Sequence, residues 1–571
     1  MSPATNDSAH TSASRFTIAT LLLALIVGGY LRCANLGARQ MSADEGASWA
    51  AAAAPTISEV LRAQNHLNPG KAGLHDVALH LWMRVFADQL AAMRALSAAI
   101  GTIAVALIFG ASREILAASC GARDDAVGKR DVAIDGRAYD EVGGVRGDAG
   151  GGHRDARGRS DGVEDHDDAG HGDARAGMTA DHGETSSHTS PCPGRGRVSV
   201  ANAGEGSAHT LCSRDRRTAM RDETAALAAL IFAVNLIAIK YSREVRMYPF
   251  VIAAVVAQTW FFFRAYRRGG LAAYSGVALF TALALAAHLT AILAFSGEGL
   301  WLAFLVARNR FNFSSTEVRR ALILMLALTA GVAMLAPFAA AVVGSAAHAA
   351  DRGAIDWIKR PEPWAAFALF NKGTGSFAFP AMALLAAWGI LRGWRRCGDA
   401  IVFALLWMWT PPLLLMLISY ALRPAFVERY LVSSFVPFFL LIAIGIVELP
   451  KLSTRCGAVA LVVALAIGHV AAWNRKPHDV QWREAARVAA TNAVNGSTLG
   501  VAPGYAINVV RYYIGANSAV SIAHPVDSSG HDPASVAIIG EQGVAPATAS
   551  VLAREYPRVL ANLRGVVVRG R

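Results

Sequence analysis

Long apolar runs recur along most of this chain and constrain its fold more than any other feature. Hydrophobic residues make up 54% of the 571 residues and charged residues only 17%. About eleven runs reach or approach the roughly 18 to 20 residues that cross a bilayer, which predicts an α-helical polytopic membrane protein of about 11 transmembrane helices with outward interfacial helices. The predicted spans are residues 18–35, 93–117, 224–241, 248–263, 271–287, 289–306, 321–343, 377–391, 401–420, 431–447 and 457–473.

Arginine and lysine residues concentrate in alternate short loops, and this bias predicts the orientation of the spans. With the N-terminus in the cytoplasm, the cytoplasmic loops carry groups such as Arg264, Arg267 and Arg268, whereas the opposite short loops carry few. The formal net charge of +12 is therefore explained by membrane orientation, and no nucleic-acid partner is expected. We expect a multi-pass protein of a bacterial-type inner membrane, with membrane lipids as its surroundings.

Composition divides the chain into five parts. A segment rich in Gly, Asp, Arg, His and Ser cannot bury enough apolar surface to offset its chain entropy, so it is predicted to be a disordered insertion. Residues 56–65 are too short to cross the bilayer and residues 73–88 too polar, so both are predicted to lie at its outer face. The parts are a disordered cytoplasmic N-terminus (1–15), the first part of the membrane module with the first outward loop (16–117), a disordered cytoplasmic insertion (118–222), the remaining membrane module (223–473) and a periplasmic domain (474–571).

The last hundred residues lack membrane segments and alternate between helical and strand patterns. An amphipathic helix is predicted over 478–493, and further helices over 504–514 and 547–562. These alternate with short apolar runs, which predicts a small C-terminal α/β domain. The predicted strands are 498–502, 519–523, 535–539 and 565–568.

Four outward-facing groups carry residues suited to chemistry. They are the adjacent carboxylates Asp44 and Glu45, the patch His66, Asn68, Lys71, His75 and Asp76, the segment 241–250 with Glu244, Arg246 and Tyr248, and the segment 426–431 with Glu428, Arg429 and Tyr430. Arg246 and Arg429 lie in outward loops, where the charge bias predicts few basic residues. Their guanidinium forks suit a phosphate. Solvated loop acids, arginines that contact lipid phosphates and ordinary interfacial aromatics are the alternatives.

Transfer of a sugar from a lipid phosphate would use these residue types together. Such a reaction needs a carboxylate base for the acceptor and cations for the departing phosphate. Asp44 is the candidate base, and Lys71, Arg246 and Arg429 are the candidate phosphate ligands. His75, Glu244, Tyr248, Glu428 and Tyr430 are candidates to line the same cavity. The six cysteines show no paired zinc-type spacing, so neither a disulfide framework nor a structural metal site is predicted.

The order of several motifs resembles the C-type integral-membrane glycosyltransferases, which include the protein O-mannosyltransferases and the lipid A aminoarabinose transferases. The motifs are the DE pair after the first span, the LHLW helix followed by MRALSAAIGT, the YSREVRMY segment, the late ERYL, and QWREAA at the start of the C-terminal domain. The resemblance covers residues 16–117 and 223–473.

The resemblance implies a polyprenyl-phosphate-linked sugar as donor and Asp44 as catalytic base. It implies that Glu45 assists the base or helps to bind a divalent metal cation, and no cofactor is otherwise expected. The segment from Glu244 to Tyr248 would line the cavity. Many members carry an HPPLY run before the LHLW helix, whereas this chain has NPGKAGLHD there, so Lys71 would supply a donor contact.

The function expected from the sequence is transfer of a sugar from the polyprenyl-phosphate donor to an envelope acceptor, which is a lipid, a polysaccharide or a protein. A single displacement would invert the anomeric centre. The alternatives are transfer of another lipid-linked group, such as phosphoethanolamine or an acyl chain, a transporter or flippase of lipid-linked envelope precursors, and a structural envelope protein. Transporters often contain internal repeats, and the sequence has none that we detect.

Overall fold

The computed structural model describes residues 4–142, 203–351, 358–477, 479–493, 498–515, 522–525 and 534–571. Residues 1–124 and 215–571 form one compact unit, and residues 125–214 form a second. The predicted insertion 118–222 lies largely in the second unit, and its residues 143–202 are outside the described part. The described residues next to this gap are helical: one helix ends at Val142 and the next begins at Ala203.

The first 476 residues contain only helices among their described elements. They are α1 (Ala4–Cys33), α2 (Ala43–Ala52), α3 (Ile57–Leu67), α4 (Leu74–Phe86), α5 (Leu90–Val142), α6 (Ala203–Val234), α7 (Leu236–Ser242), α8 (Tyr248–Arg268), α9 (Leu271–Ala287), α10 (Ile292–Arg308), α11 (Thr316–Ala333), α12 (Ala336–Asp351), α13 (Ala365–Thr374), α14 (Phe379–Ala421), α15 (Phe435–Val447) and α16 (Leu452–Arg475), with short 3₁₀ segments at Leu289–Ala291 and Glu428–Ser434.

Seven helices of the described residues are long and apolar enough to cross a membrane, and up to nine if each of two bent helix pairs counts as one span. Helix α14 breaks at Cys397, whose backbone is non-helical, and α9 is a shorter apolar helix of 17 residues. When the halves of α14 are counted separately and α9 is added, the segments match the eleven predicted spans. The predicted polytopic helical fold class is confirmed.

The outer segments between the first two spans contain the two predicted short helices and one helix that was not predicted. Helices α3 and α4 cover the two stretches predicted to be short helices, and neither is a candidate span. Helix α2 was not predicted, because residues 40–49 were interpreted as a loop. The missed signal is Ser42 followed three residues later by Glu45, a capping box whose two reciprocal hydrogen bonds are both present.

Close packing of α15 against α14 fixes the end of the bundle from which Arg429 comes. Every residue of α15 is buried. A Cβ atom at Gly445 would overlap the carbonyl of Leu385, so the two helices approach closely only because this position has no side chain. The 3₁₀ segment Glu428–Ser434 runs directly into α15, and its position is therefore set by this packing.

Ion pairs join the loops at the opposite end of the bundle. Arg308 lies 2.8 Å from Asp399. Arg396 pairs with Glu448, and Arg267 pairs with Glu114. These loops were predicted to share one side of the membrane, and the pairs show that they lie together.

The C-terminal residues form a five-stranded mixed sheet with three helices. The elements are α17 (Trp482–Asn492), β1 (Thr498–Ala502), α18 (Ile507–Ile514), β2 (Ile522–Pro525), β3 (Val536–Gly540), α19 (Pro546–Glu555), β4 (Arg558–Leu563) and β5 (Val566–Gly570). The strand order is β2-β1-β3-β5-β4, with β1 parallel to β2 and β3 and with β5 antiparallel to β3 and β4. The predicted α/β domain is confirmed.

Strand β4 corrects the predicted helix over 547–562. Pro557 lies two residues after the end of α19, and a proline cannot continue a helix. The chain then forms a hairpin across Arg564 and Gly565, where Gly565 has a φ of +71°. The helical spacing of apolar residues across 547–562 therefore stops at Glu555, and the remaining residues pair with β5.

Candidate active site

Asp44 lies in the first turn of α2, next to the buried Glu45 of the capping box. A carboxylate in this position interacts favourably with the positive end of the helix dipole. The side chain of Asp44 is half exposed, at 52%. It is the accessible carboxylate of the predicted pair.

Two arginines from distant parts of the chain meet at Asp44. Arg429 Nη1, from the 3₁₀ segment before α15, donates a hydrogen bond of 3.0 Å to Asp44 Oδ2. Arg246 Nη2, from the turn between α7 and α8, lies 3.6 Å from the same oxygen. Arg246 Nη1 also donates to the backbone carbonyl of Asp44 at 3.0 Å. The structure thus brings together three of the residues that the sequence nominated.

Electrostatics keep this group ionised. The guanidinium of Arg246 lowers the pKa of Asp44 from its ordinary value, and Arg429 adds to this against the opposing effect of burial. Burial disfavours the charge of Arg246, but Asp44 together with Tyr248 and Glu244 outweighs it, so the pKa of Arg246 is raised. At neutral pH the site therefore contains an ionised carboxylate, which can accept a proton, and two guanidinium cations.

The loop between α3 and α4 holds Arg246 from the other side. Asn68 Oδ1 accepts a hydrogen bond of 3.3 Å from Arg246 Nη1. The same loop is tied to the end of α9 by backbone hydrogen bonds, from Ala72 N–H to the Ala286 carbonyl at 3.2 Å and from Leu289 N–H to the Gly70 carbonyl at 3.1 Å. The nominated patch is therefore a fixed wall of the site.

Lys71, His75 and Asp76 form a buried cluster in that wall. Lys71 Nζ lies 3.8 Å from Asp76 Oδ2, and His75 Nδ1 lies 3.5 Å from Asp76 Oδ1. All three side chains are at most 2% exposed. Among the described residues, the polar atoms of these side chains have no hydrogen-bond partner, so the cluster has unused donors and acceptors.

Burial sets the charge states of the cluster. It lowers the pKa of Lys71 to about 8 despite the nearby Asp76, so the amine is still mainly protonated at pH 7. Burial would raise the pKa of Asp76, but Lys71, His75 and Arg246 together outweigh it, and the pKa falls to about 2. Burial also lowers the pKa of His75, which leaves the imidazole neutral. The cluster is an ammonium–carboxylate pair beside a neutral histidine.

Glu45 points into a different environment from Asp44. Arg94 Nε and Nη2 donate to its two carboxylate oxygens, each at 2.8 Å. The Val245 N–H donates to Glu45 Oε1 at 2.9 Å, and the Ser42 N–H to Oε2 at 2.9 Å. Burial would raise the pKa of Glu45, but Arg94 and these hydrogen bonds outweigh it, so the pKa is lowered. The predicted chemical role of Glu45 is not supported by this geometry, because its oxygens are occupied by the fold.

Of the predicted cavity residues, Tyr248 and Tyr430 lie at the site, whereas Glu428 is paired elsewhere. Tyr248 is buried beside Arg246, and Tyr430 lies with its ring centroid 5.1 Å from that of His288. His288 Nδ1 accepts from the Thr290 N–H at 3.2 Å, so this histidine caps the 3₁₀ segment Leu289–Ala291. Glu428, in contrast, accepts a hydrogen bond of 2.7 Å from Lys372, which lies in α13.

Glu244 lies with Glu45 and Arg94 around a separate recess. Its carboxylate forms no ion pair with Arg243 or Arg246 in the described structure. Burial raises the pKa of Glu244 to about 7, and the charge of Glu45 adds to this. Arg94, which pairs with Glu45, was not nominated from the sequence, although it belongs to the quoted MRALSAAIGT stretch.

The C-terminal domain packs directly on the segment that carries Asp44. The Met41 N–H donates to the Tyr513 hydroxyl at 2.6 Å, and the Trp49 ring lies 5.2 Å from the Tyr512 ring. A Cβ atom at Gly46 would lie 2.7 Å from the Val509 nitrogen, so α2 and α18 touch through this glycine. Asp44 is held between the membrane helices and the C-terminal domain.

A metal site is not apparent around these carboxylates. No group of three or more His, Cys, Asp or Glu side chains that could hold a metal ion occurs in the described ranges. Asp44 and Glu45 would have to share an ion, yet the Glu45 oxygens already bind Arg94. The pair therefore fits a divalent cation poorly.

The chain shares its fold with ArnT from Cupriavidus metallidurans. The apo crystal structure of ArnT aligns with a TM-score of 0.54 at 12% sequence identity and covers 98% of each chain. The structure of ArnT bound to undecaprenyl phosphate aligns with a TM-score of 0.53 at 12% identity, over 97% of this chain and 98% of ArnT. No protein-family model and no curated protein matches the sequence. The polytopic helical fold that the sequence resemblance implied is confirmed, and it is the fold of ArnT.

Proposed function

We propose that this chain is a membrane glycosyltransferase that moves a sugar from a polyprenyl-phosphate carrier to an envelope acceptor. The observation that carries the proposal is the meeting of Arg246 and Arg429 on the half-exposed carboxylate of Asp44. A base and two cations within one site are what this transfer requires. The three residues come from three separate parts of the chain, and packing holds each in place.

The shared fold supports the donor class. One of the crystal structures of ArnT contains undecaprenyl phosphate. The common fold extends over nearly the whole of both chains. A polyprenyl phosphate is therefore the first ligand to test here.

In the proposed reaction Asp44 acts as general base. Asp44 Oδ takes the proton of an acceptor hydroxyl while the acceptor oxygen forms a bond to the anomeric carbon. The bond between the anomeric carbon and the phosphate oxygen breaks, and the electron pair leaves with the polyprenyl phosphate. A single displacement of this kind inverts the anomeric centre.

The cations stabilise the charge that develops on the phosphate. Arg246 and Arg429 would each exchange a contact with Asp44 for a contact with a phosphate oxygen. The guanidinium fork suits the oxygens of a phosphate as well as those of a carboxylate. Lys71 would be the third ligand, because its buried ammonium has no hydrogen-bond acceptor within the described residues. Release of Asp44 from the arginines would raise its pKa and make it a stronger base.

The membrane topology follows from the charge bias of the loops. We place the N-terminus in the cytoplasm and the Asp44 site with the C-terminal domain in the periplasm, at the inner membrane. The donor headgroup would then meet its acceptor at the outer surface of that membrane.

A deletion strain tests the proposal in cells. Mass spectrometry would compare lipid-linked sugars and envelope glycans in the deletion strain complemented with wild type, Asp44→Asn or Asp88→Asn, the last being a nearby carboxylate outside the site. We expect loss of one envelope sugar with accumulation of its polyprenyl-phosphate precursor, reversed by wild type and Asp88→Asn only. Full rescue by Asp44→Asn would refute the base, and unchanged glycans would favour a transporter of lipid-linked precursors.

A further inference from the structure

A cavity lies between the C-terminal domain and the chain segment that leads into Asp44. It has a volume of about 190 Å³. One wall is residues 40–43, and the opposite wall is the C-terminal domain, with Asp479, Tyr505 and Gln542. None of the residues that line it belongs to a candidate span, so a prenyl chain in the membrane would not reach into it.

Tyr505 forms a fixed aromatic surface at this cavity. The side chain is 58% exposed, yet its hydroxyl donates to the Gln542 carbonyl at 3.1 Å. A Cβ atom at Gly543 would lie 2.5 Å from the Tyr505 hydroxyl oxygen, and Gly543 has a φ of +84°, so the ring packs directly on backbone. The fold therefore holds a large apolar ring face open to solvent.

The ring is also close to the proposed base. Burial raises the pKa of Tyr505, and the charge of Asp44 adds to this, which places the phenol within the electrostatic reach of that carboxylate. Helix α2 packs on the 3₁₀ turn Gly504–Ala506 that carries Tyr505. A molecule on the ring would therefore lie next to the helix that carries Asp44.

We infer that this cavity binds the acceptor, and that the acceptor presents a saccharide there. The inference rests on the proposed function and adds the chemical class of the second substrate. A pyranose offers C–H groups to the face of an aromatic ring and hydroxyls to carboxylate and amide groups. Tyr505 supplies the ring, and Asp479 and Gln542 supply polar groups beside it. The hydroxyl to be glycosylated is delivered to Asp44, while the donor phosphate occupies the arginine side.

Simple saccharides provide the test. Saturation-transfer NMR would measure binding of methyl glycosides of glucose, galactose, mannose and N-acetylglucosamine to the full chain in lipid nanodiscs. Tyr505→Ala removes the ring, and Tyr505→Phe retains it. Tyr420→Ala is the matched control, because Tyr420 is also exposed and also donates its hydroxyl to a backbone carbonyl, that of Pro361. Native mass spectrometry would measure undecaprenyl phosphate binding in each variant.

We expect at least one glycoside to bind wild type, Tyr505→Phe and Tyr420→Ala, and to bind Tyr505→Ala about tenfold more weakly, the scale of one aromatic contact. Undecaprenyl phosphate should bind all four proteins equally. Equal glycoside binding by Tyr505→Ala, or none by wild type that still binds undecaprenyl phosphate, would overturn the acceptor site and leave the proposed function standing. Failure of wild type to bind undecaprenyl phosphate would overturn the proposed function itself.

Discussion

Arg429 donates a hydrogen bond of 3.0 Å to the carboxylate of Asp44 across 385 residues of sequence. The carboxylate lies in the first turn of a short helix near the start of the chain, and the arginine precedes a late, fully buried helix. Arg246 reaches the same carboxylate from a third element. Because the cations occupy Asp44 in the absence of donor, phosphate binding and the activation of the base are coupled in our account.

Arg429→Ala should weaken binding of undecaprenyl phosphate. A hydrogen bond to a charged group contributes roughly 1.5–3 kcal/mol, so a loss of about ten- to a hundredfold in affinity is expected. Arg423→Ala, an exposed arginine a few residues earlier, is the control and should bind as wild type does. Affinity would be measured by titration of the purified protein in nanodiscs, and equal affinities for both variants would remove Arg429 from the phosphate site.

Glu45→Gln should destabilise the protein. The change leaves the buried Arg94 without its carboxylate, which typically costs about 3–5 kcal/mol. Asp44→Asn, one residue earlier, also removes a carboxylate from Arg246 and Arg429, but that carboxylate is half exposed, so the loss should be only about 1 kcal/mol or less. Thermal unfolding followed by intrinsic fluorescence separates the two, and similar melting of both variants would contradict the structural role of Glu45.

The Lys71–Asp76 pair predicts a different pattern. Asp76→Asn leaves a buried ammonium unpaired and should destabilise by about 3–5 kcal/mol, whereas the double variant Lys71→Met, Asp76→Leu should recover most of that loss. The double variant should fold and yet bind undecaprenyl phosphate more weakly, since one proposed ligand is missing. Normal donor affinity in the folded double variant would exclude Lys71 from the phosphate site.

Glu244 predicts a pH dependence of stability. Its pKa is raised from 4.5 to about 7, by burial first and by Glu45 second, with Asp44 adding and with Lys240 and Arg246 opposing. Between these values the folded state binds more protons than the unfolded state, so its contribution to stability falls as pH rises through this window.

Glu244→Gln should therefore melt higher than wild type at pH 8, by roughly one to three degrees, and at nearly the same temperature at pH 4.5. Glu541→Gln, an exposed carboxylate of the C-terminal domain, should show no such difference. Melting curves across this pH range provide the measurement. A pH-independent effect of Glu244→Gln would show that its carboxylate does not titrate near pH 7.

The membrane architecture was predictable because span length and the positions of arginines depend on the bilayer, which acts on each segment locally. Strand β4 was missed for the opposite reason, since the strand is stabilised by pairing with β5 and its residues also fit a helical pattern. Pro557 is the local signal that separates helix α19 from strand β4.

The site was predictable as residue types but not as contacts. Asp44 and Glu45 were expected to act together because they are adjacent in sequence. In a helix, adjacent side chains point about 100° apart, so the two carboxylates diverge, one toward Arg429 and the other toward Arg94. Had the capping box at Ser42 and Glu45 been recognised, this divergence would have followed from the sequence. The partner of Glu45 would not, because Arg94 lies 49 residues away.

Asp44→Asn tests the central claim most directly when turnover and donor affinity are measured on the same preparation. A general base typically contributes about 10²–10⁴-fold to the rate, so sugar transfer should fall by that factor. Undecaprenyl phosphate should bind as tightly as before or more tightly, because the variant frees Arg246 and Arg429 from a competing carboxylate. Transfer at the wild-type rate, or a loss of activity explained entirely by lost donor binding, would contradict the assignment of Asp44 as the base.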